Sequence, residues 1–425
     1  MVESVGKYQR YAEYKDSGVE WLGEIPSDWD IQPTKRFFRL IAEPAPDNNN
    51  YELLSVYTEI GVKPRKELEP KGNKASTTDG YWLVKKGDIV VNKLLAWMGA
   101  VGYSEYDGVT SPAYDILRPT KKLNPKFYHY LFRTKIANME FKRWSRGIME
   151  MRLRLYFDEL GRIYMPFPTF EEQNKIVNFL DHETAKIDSL IEKQKQLIQL
   201  LKEKRQAVIS HAVTKGLDPS VKMKDSGVEW LGEVPEHWEI GRLKNVLSIK
   251  NGRDYKAVEV EDGGYPVYGS GGIFKRSSEF LYDGISLLFG RKGTIDKPLL
   301  VEGKFWTVDT MFYSELVKNV DPEYIYFQSL GFPFDKLSTN TALPSMTQED
   351  LLNLGFVIPP VKEQTEISKF IKQYLENNHS LMKKAESAIQ LMQERRTALI
   401  SAAVTGKIDV RNWQNPNNAK TELSA

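Results

Sequence analysis

The 425-residue chain is 41% hydrophobic and 12% aromatic, enough apolar mass for two or three cores without covalent staples. It has no cysteine, which excludes disulfide, thiolate-metal and iron–sulfur chemistry, and its five histidines (His129, His182, His211, His237, His379) are too scattered for a ligand set. A net charge of +2 does not mark a nucleic-acid binder, and a polar N-terminus with no apolar run of about 18 residues points to a cytoplasmic protein.

Taken in chain order, the first element is a short cassette, Lys15–Trp29, reading KDSGVEWLGEIPSDW. It recurs as Lys224–Trp238, KDSGVEWLGEVPEHW, with 12 of 15 positions identical at an offset of 209. Its apolar residues Val19, Trp21, Leu22, Ile25 and Trp29, and their copies, are expected to clamp a domain to a scaffold. A segment without internal counterpart follows. Gln32–Pro166 holds 23 Lys/Arg against 15 Asp/Glu, an excess of +8.

A helical cassette comes next. Thr169 three residues before Glu172 forms a capping box, and no Pro or Gly interrupts Glu171 to Lys215, so one helix of about 65 Å is predicted, with a break conceivable near Asp181–Lys186. Gly216 closes it. Apolar residues settle into heptad spacing at Ile187, Ile191, Ile198, Leu201 and Val208, with Gln194 in the series. The cassette recurs at an offset of 191. Its second copy starts at Pro359-Pro360 with Glu363, carries Met382, Ala385, Ile389, Met392 and Leu399, and ends at Gly406; Ile198–Thr214 and Ile389–Thr405 share 11 of 17 residues. Each stripe wants a partner helix. The other copy is the nearest candidate, as an antiparallel coiled-coil pair with pseudo-two-fold symmetry; the alternatives are each stripe's own domain or another protein. Between the second copies lies Gly241–Val357, with 13 basic and 15 acidic residues.

The frame is repeated and the inserts are not, which fits one scaffold presenting two different binding heads. Arg, Lys and aromatic residues on loops are the candidates for DNA contact. In the first insert these are Lys93, Trp97, Arg143, Arg146, Arg152 and Arg154; in the second, Lys275, Arg276, Arg291 and Lys292, with Asn340 and Thr341 standing roughly where Arg146–Gly147 stand in the first. For any one of them a solvated surface position is an equal expectation.

Motifs for chemistry of its own fail on inspection. Asn124-Pro125-Lys126-Phe127 and Asp321-Pro322-Glu323-Tyr324 lack the second proline of an adenine-methyltransferase loop and read as helix caps. Asp296 with Glu302-Gly303-Lys304 reads as a turn, as does Tyr268-Gly269-Ser270-Gly271-Gly272, and no phosphate-binding P-loop occurs.

The GVEWLGEIPSDW and GVEWLGEVPEHW cassettes, each leading into a variable segment closed by a P-x-x-E-Q-type helix start, resemble the specificity subunit of Type I restriction–modification enzymes over nearly the whole chain. The resemblance implies an α+β fold. Residues 1–166 would hold the cassette and a first target-recognition domain, 167–222 a first spacer helix, 223–357 the second cassette and domain, and 358–425 the second helix and tail. It also implies a chain without catalytic or metal residues, which reads the two halves of an asymmetric site in double-stranded DNA. Two modification subunits using S-adenosylmethionine for adenine-N6 methylation would dock on it, and two restriction subunits using ATP and Mg²⁺ would join them. A bivalent DNA-binding regulator or scaffold is the alternative.

Overall fold

A computed structural model describes residues 8–68, 78–149, 152–317, 319–339 and 344–416. The chain divides into two compact units, Met1–Gln194 with Ser387–Ala425, and Lys195–Glu386, so that both long helices change unit part-way along. Among the described residues, no helix is long and apolar enough to cross a membrane.

In the first unit, β1 (Phe38–Ile41), β2 (Ile89–Asn92), β3 (Val101–Tyr103) and β4 (Tyr114–Pro119) form an antiparallel sheet in the order β1-β4-β2-β3. Successive residues of β2 serve opposite faces. Ile89 and Val91 join a core built on Trp29, Phe37, Phe38, Phe127 and Tyr128, while Val90 joins Leu54, Val56, Val62 and Ile116. Burial on both faces explains the unbroken apolar run Ile89-Val90-Val91. Helices α1 (Pro125–Phe132) and α2 (Lys135–Trp144) pack on the aromatic face, and Asn124 caps α1 by accepting from Lys126 N, with Pro125 in the first turn. The strand Tyr164–Phe167 closes the unit against Asp30–Pro33 and leads into the long helix α3 (Phe170–Lys215). Gln173 locks this corner: its Oε1 accepts from Asn124 N at 2.8 Å and its Nε2 donates to Pro168 O at 2.9 Å.

The second unit repeats the plan. Strands β5 (Leu247–Asn251), β6 (Ser286–Gly290), β7 (Leu299–Val301) and β8 (Met311–Leu316) run in the order β5-β8-β6-β7. Asp321 caps α4 (Pro322–Ser329), and Gln364 of α5 (Val361–Val404) bonds Asp321 N and Pro359 O as Gln173 bonds its own pair. The additions differ. The first unit carries the hairpin Leu54–Tyr57 with Gly61–Pro64, and the second a five-stranded sheet around the ribbon Tyr265–Gly269 and Gly272–Ser277.

The tryptophan cassettes clasp helix ends. In the second unit Ile209, Ala212 and Val213 of α3 pack with Leu231, Val234 and Trp238, and Gly216 turns at φ +76° with its Cβ site 3.2 Å from the Trp238 ring. In the first unit the far end of the chain plays this part. Ala402–Val404, Ile408 and Val410 pack with Leu22, Ile25 and Trp29, and Gly406 turns at φ +72° where a Cβ would meet Pro26 at 2.3 Å. Both glycines are the left-handed caps expected of them.

Neither helix breaks, and α3 runs unbroken through Asp181–Lys186. Glu172 N bonds Thr169 Oγ1, which is half of the expected capping box; the carboxylate of Glu172 accepts from Tyr11 Oη instead, and that of Glu363 accepts from Trp238 Nε1 at 2.8 Å and pairs with His237 at 2.7 Å. The heptad positions face inward: Ile187, Ile191, Ala385 and Leu399 are buried, and Ile198, Leu201, Val208, Met382, Ile389 and Met392 half-buried. In the first unit Asp188 of α3 pairs with Arg396 of α5, while Lys175 donates to Arg411 O and Phe179 meets Trp413 in the segment that follows α5. In the second, buried Asn378 donates to Leu201 O at 3.1 Å. A polar residue in such a seam fixes register at some cost in stability.

Candidate nucleic-acid interface

In each unit two loops meet at the end of the central strand. After β2 the chain turns through Lys93–Ala100. Lys93 O accepts from Leu155 N at 2.9 Å, which ties this turn to a second segment whose arms pair through Arg146 and Arg154, N to O in both directions at 2.9 Å. The first insert's candidate residues gather here. Trp97 donates Nε1 to Leu94 O and lies under Lys142 Nζ at 5.0 Å, while Arg143, one turn from the hairpin on α2, pairs with exposed Glu20 at 2.9 Å.

They are not equally available. Lys93 Nζ lies 3.3 Å from Asp115 and donates to Pro112 O, and burial raises the Asp115 carboxyl above the ordinary carboxylate range against the pull of Lys93. Arg146 is bonded to buried Glu159 and so pins the hairpin. Arg152 and Arg154 are exposed and have no carboxylate partner among the described residues. Around them Leu94, Leu95, Met98, Met139, Ile148 and Met149 are exposed as well. Their exposure follows from tertiary placement, which no charge pattern in the sequence announces.

The second unit is wired alike. Met346 N donates to Arg291 O at 3.0 Å, matching the Leu155–Lys93 bond, and Gly293 N donates to Pro344 O at 2.9 Å. Ser338 pairs with Met346 as Arg146 pairs with Arg154. Arg291 donates to Asp309 O, and exposed Lys292 has no carboxylate partner among the described residues. Asn340 and Thr341 lie outside the described residues, but their neighbours Thr339 and Pro344 stand beside this turn. An open cleft of about 520 Å³ adjoins it, lined by Ser338, Thr339, Ser345, Thr347 and Asp350. Lys275 and Arg276 belong elsewhere. They sit on the ribbon Gly272–Ser277, where Lys275 pairs with Glu259 at 2.5 Å and Arg276 donates to Gly263 O and Gly264 O.

Two stretches of the chain, residues 26–200 and 235–391, match the family model of the Type I restriction modification DNA specificity domain. The chain belongs to this family. It is 22% identical to the MjaVIII specificity subunit of Methanocaldococcus jannaschii, across 91% of this chain and 95% of that one. It is 24% identical to the EcoKI specificity subunit of Escherichia coli K12, across 73% and 71%. Its fold is similar to a chain from a structural study of complex assembly and conformational transition of the type I R-M system (TM-score 0.65, 14% identity, 90% of this chain and 99% of that one). It is also similar to the HsdS subunit from Thermoanaerobacter tengcongensis (TM-score 0.56, 14% identity, 90% and 98%).

The protein is thus a Type I specificity subunit with two DNA-recognition domains, and its matched loop pairs sit one to a domain. The remaining motifs of the specificity subunit take the positions their turn chemistry predicts. Asn124 and Asp321 are helix caps. Gly303 turns at φ +90° between β7 and the strand Lys304–Thr307, and Gly272 at φ +104° closes the ribbon against Gly269.

Proposed function

We propose that each recognition domain reads one half of a bipartite, asymmetric site in double-stranded DNA through its loop pair, and that the long helices set the spacer between the halves. The single observation supporting this is the repeated wiring. Leu155 N–Lys93 O and Met346 N–Arg291 O hold loops of unlike sequence at the same place on two sheets of the same strand order. Arg143, Arg152, Arg154 and Lys292 are the cations proposed to meet DNA first, since a surface ion pair such as Arg143–Glu20 exchanges readily for phosphate. Lys93, Arg146, Lys275 and Arg276 act through the loops they hold, and Trp97, Arg291, Asn340 and Thr341 complete the two surfaces.

The chain works in the cytoplasm as a non-catalytic subunit. Two modification subunits dock on the helices and bring S-adenosylmethionine for adenine-N6 methylation, and two restriction subunits bring ATP- and Mg²⁺-dependent cleavage. Exposed leucines support this docking. Leu190 and Leu200 of α3 correspond through the repeat to Leu381 and Leu391 of α5, and all four face solvent. Long-read methylation profiling of cells with the gene and without it tests the proposal. A two-part adenine-methylated motif should vanish on deletion; an unchanged methylome would refute it.

A further inference from the structure

On the hairpin closed by Arg146 and Arg154, two successive apolar residues, Ile148 and Met149, are covered by nothing described in the fold. Ile148 is 102% exposed and Met149 53%. The hairpin is a built feature, because at Gly147 a Cβ would stand 2.6 Å from Arg152 O, so only glycine lets its arms pass. The pair does not stand alone. Met98 and Met139, 50% and 72% exposed, belong to the turn after β2 and to α2, two elements joined where Lys142 covers Trp97.

What covers this apolar surface follows from its rim. Arg152 and Arg154 have no carboxylate partner among the described residues, Arg143 lies on the neighbouring helix face, and the whole segment Gln32–Pro166 carries +8. A protein surface meeting this rim would need matching acids, whereas DNA supplies phosphates on both sides of a stack of apolar base faces. Apolar side chains between cations are the device by which proteins part a base step and kink the duplex. We propose that Ile148 and Met149 enter the first half-site as a wedge against one base step, with Arg152 and Arg154 on the flanking phosphates. This rests on the reading that the hairpin faces DNA.

The test uses the full chain assembled with its modification subunits, and duplexes carrying its methylated motif with 2-aminopurine placed at successive steps of the first half-site, away from the methylated adenine. Fluorescence should rise on binding at one step. The double substitution Ile148→Ser with Met149→Ser should abolish that rise and weaken cognate binding about tenfold, without changing its salt dependence. Arg152→Ala with Arg154→Ala should instead flatten the salt dependence. If the serine pair leaves fluorescence and affinity unchanged while the alanine pair weakens binding, the wedge is wrong and the DNA-facing hairpin stands. If neither pair changes binding, the hairpin does not face DNA. If the serine pair weakens assembly with the modification subunits and not binding to DNA, the occupant is protein and the wedge is refuted.

Discussion

Trp29 and Trp238 fill the same clasp in the two units, yet their indole nitrogens fare differently. Trp238 Nε1 donates to Glu363, while Trp29 Nε1 has no partner among the described residues and the matching carboxylate, Glu172, accepts from Tyr11 Oη at 2.6 Å. On the first helix of each domain, half-buried His129 stands where Tyr326 stands in the other. In the loop pairs, Lys93 answers Arg291, and the segment after Arg146, with its cations Arg152 and Arg154, answers the segment after Ser338, which has no cation up to Met346. Differences are small in the clasp and large at the loops. The frame therefore tolerates exchange of a hydrogen-bond partner provided that the rings and the glycine turn remain, and the loops are free to change because the sheet holds them by backbone bonds.

The largest effect on this comparison should come from the clasp itself. Trp29→Ala and Trp238→Ala each remove a fully buried ring, at a cost of about 3–5 kcal/mol. Hydrogen exchange should show the loss confined to the unit that carries the substitution; equal loss in both would mean that the units do not fold as separate cores. Next come the cations. Arg152→Ala with Arg154→Ala should lower the slope of log affinity against log salt by about two and weaken binding about tenfold, whereas Lys292→Ala should lower it by about one, both measured by titration at several salt concentrations.

Acid should separate the units more gently. Burial, reinforced by Arg133, Lys126 and Arg396, lowers His129 from its ordinary 6.5 to about 3, and the neutral ring accepts from Tyr103 N. A base with a depressed folded value gives stability that is complete above the unfolded value and lost as pH falls below it. The first unit should thus lose about 1 kcal/mol between pH 6.5 and about 5.5, and further stability toward pH 3. His129→Gln should remove this part of the acid dependence, read as melting temperature against pH; an unchanged slope would show that His129 is accessible to protons in the folded state. The smallest effect belongs to Tyr11→Phe. Losing the bond to Glu172 should cost about 0.5–1 kcal/mol, less if Glu172 turns to Trp29 as Glu363 turns to Trp238, which a shift in tryptophan fluorescence would report.

The duplication, the capped helix starts, the glycine stops and the heptad stripe were all legible in the sequence, because each is a local pattern or a periodicity. Asn124 and Asp321 read correctly as caps for the same reason. The composition of each unit was only half legible. That each Trp cassette lies against a helix end could be inferred, but the sheet order β1-β4-β2-β3, and its repeat, depend on pairings such as Ile116 with Ile41 that no local pattern announces. Charge singled out the candidate residues, most of which the structure gathers on the paired loops, but it did not rank them. Lys93 faces Asp115, and Arg276 holds Gly263, through contacts 22 and 13 residues apart, while Arg152 and Arg154 are left open. Charge is local and its neutralisation is not.

The central claim is that two independent readers share one frame. Exchanging Gln32–Pro166 for the corresponding segment of another specificity subunit, followed by long-read methylation profiling, tests it most directly. One half of the methylated motif should change while the other half and the spacer stay as they were. A motif altered in both halves, or in neither, would contradict the account.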